Sequence, residues 1–227
     1  ETTHCIGDIL AAVVATTERA ARAAIEEIVV DHAQLPGVFS PEEALEPGAP
    51  RVHRDHENLL STSVIHRGDV DAGLAASAFV ETRTFETQLV EHAFLEPESA
   101  IAVANPQSLV ANPQSPTPNP ILVEVFSQGQ GIFDDRRQIA SFLGLLEDQV
   151  RVTLVSNGGA FGGKEDLSIQ GQVALMAWLT GQPVKATLTR EESIRLHPKR
   201  HPMRLTYPVG CDGEGHRTAI RARIVGG

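Results

Sequence analysis

Residues 157–166 read NGGAFGGKED: four glycines, Gly158, Gly159, Gly162 and Gly163, surround Phe161, and Lys164, Glu165 and Asp166 close the run. Glycine at this density marks a backbone that must bend unusually or be approached very closely. The apolar stretch QVRVTLV (149–155) before the loop predicts a strand. DLSIQGQVALMAWLTG (166–181) after it predicts a helix that ends on Gly181. A strand-to-helix turn presents backbone N–H groups outward and attracts anions. Whatever this chain folds into must carry such a turn on a mixed helix and strand framework.

Two generic readings of the loop compete. Gly158 to Lys164 fits G-x-x-x-x-G-K, but Glu165 follows where a phosphate loop needs Ser or Thr to hold magnesium, and its carboxylate would repel phosphates. The loop could instead be a tight turn without a ligand. Four glycines then carry an entropic cost of roughly 0.5–1 kcal/mol each relative to alanine.

Bulk properties narrow the function classes. Among 227 residues, 29 acidic and 19 basic side chains give a net charge of −10, which argues against a nucleic-acid partner. No apolar run approaches the roughly 20 residues of a membrane-spanning helix, and no signal-peptide pattern is present. Cys5 and Cys211 give no disulfide framework, and the nine histidines form no ligand pair. A metal held directly by side chains is not expected, and the thiol usage suits the cytoplasm.

The rest of the chain is α+β in character. ILAAVVA (9–15) and VVDH (29–32) predict strands around a helix in 16–28, with a threonine N-cap ahead of Glu18. LPGVFSPEEALEPGAP (35–50) is a loop or linker, which places a domain boundary after residue 57. A short helix (69–78) and an alternating strand (79–90) follow. ANPQS occurs at 104–108 and again at 111–115, in a polar, proline-rich surface loop. Further strands are expected at 121–127, 183–189, 204–210 and 218–225, with an amphipathic helix at 134–145. The chain starts at Glu1 and stops at Gly227 just after a strand-like run, as expected of part of a longer protein.

GGAFGGKE (158–165) resembles the G-G-x-F-G-G-K-E segment of the molybdenum hydroxylases, in particular their xanthine dehydrogenase branch. VFSQGQGIFDDRRQIASFLGL (125–145) resembles that family's glutamine segment, and EHAFLEPESAIA (91–102) its E-H-x-x-x-E-P segment. PVKATLTREESIRLHPKRHP (183–202) resembles its strand followed by an R-H-P run. Residues 5–38 resemble the end of the hammerhead domain that precedes the molybdenum domain. The resemblance covers nearly the whole chain in the right order. It implies that residues 1–57 are the C-terminal part of an α/β hammerhead and 58–227 the first part of a molybdopterin-binding domain.

Enzymes of this kind hydroxylate a heteroaromatic or aldehyde carbon with oxygen from water. The resemblance implies a molybdenum–molybdopterin cofactor, with iron–sulfur clusters and FAD on other domains or subunits. Gly158, Gly159, Gly162 and Gly163 would let the bulky anionic cofactor approach. The backbone N–H of Phe161 and the side-chain amide of Gln130 would point at an oxo ligand of the metal, stabilising charge there. Gln130 also reads as a polar residue at a helix N-terminus. Glu165 would bind the substrate ring and favour a purine such as hypoxanthine or xanthine; it also reads as an acid complementing a helix dipole. Lys164 is expected to be structural or solvated, and Glu96 a buried polar partner. The general base and a transition-state arginine are expected beyond Gly227, so the isolated chain should be inactive. An aldehyde oxidase-type enzyme and a non-catalytic assembly or docking module are the alternatives, and the expected partners include the remaining part of the molybdenum domain.

Overall fold

The computed structural model describes residues 2–105 and 121–227. The second ANPQS copy, and most of the first, lie outside the described residues. In chain order the elements are α1 (Glu18–Ile25), α2 (Pro41–Ala44), α3 (Val70–Ala75), β1 (Phe79–Thr87), β2 (Ser99–Ala104) and β3 (Val123–Ser127). There follow α4 (Ile132–Leu143), β4 (Val150–Leu154), α5 (Gln170–Thr180), β5 (Val184–Thr187), α6 (Arg190–Leu196), β6 (Met203–Cys211), β7 (Arg217–Ile220) and β8 (Arg223–Gly226). Contacts divide them into two compact units, Glu1–Val30 with Glu91–Lys199, and Asp31–Val90 with Arg200–Gly227. Residues on both sides of position 57 share the second unit.

The first unit is built on a four-stranded sheet ordered β4-β3-β2-β5. β3 and β4 run parallel, joined through α4, whereas β2 pairs antiparallel with β3 and with β5. Small residues Ala100, Ala102 and Ala104 alternate along β2 and are buried under α5, which lets the helix lie close to the sheet. Val123, Val125, Ile139, Val150, Val173 and Ala174 complete the core. Every buried apolar side chain among the described residues belongs to this unit. α4 stops where Gly144 turns left-handed (φ 68°), and α5 stops in the same way at Gly181 (φ 64°).

In the second unit β6 is central, paired antiparallel along its length with β1 and on its other edge with β8 and β7 in turn. α3, capped by the Asp69 side chain, packs on β7.

Several sequence expectations need correction. The runs at 9–15 and 29–32 are not strands: among the described residues no partner strand takes their backbone hydrogen bonds, and Leu10 and Val29 are exposed. The helix between them forms as expected on Thr17, whose side chain accepts the Ala20 N–H. Apolar content alone suggested those strands, and a strand needs a neighbour as well as a pattern. The run at 218–225 is two strands, and α6 was not anticipated, although Thr189 and Glu192 form a reciprocal capping box at its start. The mixed helix and strand class stands as expected.

Candidate functional site

Because β3 and β4 are parallel neighbours with Ser127 opposite Leu154, the segments that follow them leave the sheet at the same edge. One is Gln128–Gly131, leading into α4. The other is the glycine loop, leading into α5. Val155 N–H donates to the Ser127 carbonyl at 2.9 Å and holds the two exits together.

Gln130 binds the loop with both main chain and side chain. Its N–H donates to the Lys164 carbonyl at 2.8 Å, while its Oε1 accepts from Gly162 N–H at 3.0 Å and Lys164 N–H at 3.3 Å. Gln130 is exposed, and its Nε2 donates to no group among the described residues. Gln130 does not cap α4; the capping position belongs to Gly131, without a side-chain bond. Gly131 sits against the Glu165 carbonyl, where an added Cβ would lie 3.1 Å from that oxygen. Gln130, Gly162, Lys164 and Glu165 thus come together. Glu165 is exposed and lies five residues before Gln170, the first residue of α5, so it is not in that helix's first turn.

The loop backbone is unusual at Gly159 (φ 97°), Phe161 (φ 55°) and Gly162 (φ 92°). A non-glycine residue at positive φ is uncommon, and here it carries an exposed aromatic ring, 65% accessible. The four glycines divide by what lies beside them. A Cβ on Gly158 would stand 2.6 Å from Glu96 Cβ, and one on Gly163 would stand 2.9 Å from the Phe94 ring. Those two make room for this chain's own residues. On Gly162 a Cβ would meet only His92 Nε2 at 3.7 Å, so this glycine faces open space.

The segment 91–98 forms the wall behind the loop. The Glu96 carboxylate accepts the Gly158 N–H, and its carbonyl accepts from Lys164 Nζ at 2.8 Å. Contrary to expectation Glu96 is exposed, whereas Lys164, read as structural or solvated, is buried at 2% accessibility and takes the structural place. Phe94, fully buried, lies between Lys164 and His197, with the His197 ring centroid 4.8 Å away. The His197 ring nitrogens approach Glu91 and Glu98.

Beneath Gln128–Gln130 lies a buried polar cluster that sequence reading missed. Ser127 Oγ donates to Asp135 Oδ2 at 3.2 Å and accepts from Gly129 N–H and Gln170 Nε2 at 3.0 and 3.1 Å. Asp135 is fully buried, and burial pushes its carboxyl up to about 6 despite the Ser127 bond. Asp134 and Asp166 add to the rise. Among the described residues no group of His, Cys, Asp and Glu side chains could hold a metal ion. The N–H groups of Gly158, Gly159, Gly162, Gly163 and Lys164 donate within the chain, so the Gln130 amide and the open space beside Gly162 are what suit a bulky anionic group.

The molybdopterin cofactor-binding domain family matches residues 52–227, and the chain belongs to that family. More particularly, it is similar to relatives among the molybdenum hydroxylases. A probable xanthine dehydrogenase subunit of Bacillus subtilis (strain 168) is 37% identical over 220 residues, covering 97% of this chain and 28% of the relative. The nicotinate dehydrogenase large molybdopterin subunit of Eubacterium barkeri is 32% identical, covering 97% and 48% respectively. The aldehyde oxidoreductase of Desulfovibrio gigas shares the fold with a TM-score of 0.82 at 23% identity, over 93% of this chain and 22% of that one. The chain thus spans between about a quarter and a half of the length of these proteins. A molybdopterin cofactor is the class that the sequence resemblance implied.

Proposed function

We propose that the chain supplies one wall of a molybdenum hydroxylase active site, and that the substrate is a purine such as hypoxanthine or xanthine. The observation that carries this reading is the junction of Gln130 with the glycine loop. There the oxygen of the amide is consumed by Gly162 and Lys164, and its N–H donors find no acceptor among the described residues. Gly162 and Phe161 would border the cofactor, and Gln130 Nε2 would donate to it; Gly159 would supply the turn, and Gly158 and Gly163 the close seat on Glu96 and Phe94. When bound, the molybdenum–molybdopterin group would supply hydroxylation with oxygen from water and take up the electrons. The residues of this chain orient the group and the substrate and offer fixed donors that need no reorganisation during reaction.

Glu165 is exposed beside Gln130–Gly131 and makes no helix-capping contact. That leaves its carboxylate available to hydrogen-bond a substrate heterocycle. The Bacillus relative, a probable xanthine dehydrogenase component, supports a purine, and the fold likeness to an aldehyde oxidoreductase is compatible with an aldehyde. Residues 1–57 are proposed as hammerhead and 58–227 as molybdopterin-binding domain; the family match covers 52–227. Iron–sulfur and FAD domains or subunits, the rest of the molybdenum domain and a cytoplasmic location complete the proposal. No helix among the described residues is long and apolar enough to cross a membrane. By the resemblance the general base belongs to the later part of the molybdenum domain, and we propose on that ground that this chain alone turns over no purine.

The test is Glu165→Ala in the complete enzyme. Loss of a charged hydrogen bond made in the transition state, about 1.5–3 kcal/mol, should lower kcat and kcat/KM for xanthine or hypoxanthine about 10- to 150-fold per bound molybdenum. Simple aldehydes lack the ring atoms involved and should be affected far less. Equal losses for both substrate classes would reject the purine role and favour the aldehyde oxidase-type reading.

A further inference from the structure

Lys164 occupies the middle of the site, and the proposed function gives it no task. Its ammonium is buried, yet it is paired with neutral groups. Nζ donates to the Glu96 carbonyl at 2.8 Å and to Gln128 Oε1 at 2.5 Å, and stands 4.5 Å from the centroid of the Phe94 ring. Glu96 and Glu98 act on it only from beyond ion-pair distance, and burial lowers its pKa below the usual lysine value. Burying an ammonium without a directly paired carboxylate is costly, and a hydrophobic residue of the same length would fill the space more cheaply. Carbonyl, amide and aromatic face together offset that cost, and each comes from a segment other than the loop itself.

Those contacts join three pieces of chain. Glu96 and Phe94 belong to the wall behind the loop, Gln128 to the exit from β3, and Lys164 to the glycine loop. The main chain of Lys164 is fixed as well, since its N–H and carbonyl both bond to Gln130. The loop could open at this point only by breaking all of these together.

We infer that Lys164 is a positioning residue, whose buried ammonium locks the glycine loop to Phe94, Glu96 and Gln128 and puts a positive charge behind the loop's open face. The charge favours an anionic group beside Gly162. This second half rests on the reading of the loop as a cofactor wall; the locking role does not. Lys164 touches neither substrate nor cofactor and acts through the loop and Gln130.

The experiment uses the complete molybdenum-binding subunit, in which amide hydrogen exchange is followed in the cofactor-free form. Lys164→Met keeps the length and removes the charge and its donors. It should speed exchange at Gly162, Gly163 and Gln130 by roughly tenfold or more while leaving Val125 and Ala174 unchanged. Unchanged loop protection, or equal loss at the core amides, overturns the locking role. Gln128→Leu removes only the acceptor and should give the same pattern, which keeps the test open if Lys164→Met does not fold. Gln128→Glu places a carboxylate on the ammonium. It should retain loop protection but lower the molybdopterin content per subunit several-fold, and a normal content overturns the role of the charge. If Gly162 variants also load normally, the cofactor-wall reading itself fails, which the exchange data alone would not indicate.

Discussion

Gln130 Oε1 accepts the amide hydrogen of Gly162 at 3.0 Å, so the segment leaving β3 is tied to the residue at the loop's open face. The bond occupies the amide oxygen and leaves Nε2 without an acceptor among the described residues. Gln130→Glu separates the two functions of this side chain. A carboxylate can still accept from Gly162 and Lys164, but it has no hydrogen to donate and adds a negative charge at the site. In the complete enzyme we expect loop exchange protection to persist while kcat falls about 10²-fold or more, the scale for losing one preorganised donor. Steady-state kinetics normalised to molybdenum provides the measurement. Unchanged kcat would remove Gln130 Nε2 from the reacting centre.

Asp135 makes stability depend on acid conditions in an unusual direction. Its folded-state carboxyl sits at about 6, above the ordinary 3.8, because burial penalises the charged form. The folded state therefore holds this proton more tightly than the unfolded state does. The stabilisation is complete below about pH 4 and is lost as pH rises through about 6, up to about 3 kcal/mol in all. Asp135→Asn should abolish that contribution. Denaturant midpoints of wild type and variant, compared between pH 4 and 7, should differ by an amount that changes across this window. A constant difference would mean that Asp135 does not titrate there.

Much of this was legible in the sequence, for reasons that particular residues make plain. The strand, loop and helix around Gly158–Gly163 were readable because alternation, glycine density and the stop at Gly181 are local signals. Gln130 and Glu165 were singled out through their segments, and the structure brings both beside the loop. Lys164 was left between a structural and a solvated reading, because a lysine next to a glutamate and an aspartate carries no local sign of burial. Its burial comes from Phe94 and Gln128, residues 70 and 36 positions away. Asp135 was hidden for a related reason, since DDRR looks like a solvated helix start and only the fold puts its second carboxyl on Ser127. β2 was missed inside a segment read for its motif, although Ala100, Ala102 and Ala104 carry a plain alternation. The strands expected at 9–15 and 29–32 show the converse, that apolar runs carry no information about a partner.

The glycines provide the most direct test of the central claim that the loop's open face receives the molybdopterin cofactor. A side chain on Gly163 would collide with Phe94 and His92, so Gly163→Val should damage folding of the loop and the wall behind it. A side chain on Gly162 would enter open space, with a backbone penalty of about 1–2 kcal/mol for its left-handed φ. The decisive measurement is the molybdenum and pterin content of purified, folded Gly162→Val in the complete enzyme, with folding checked by thermal melting. The account predicts a folded protein, its melting temperature lowered by several degrees at most, that holds little or no molybdopterin. Full molybdopterin content with normal turnover would contradict it.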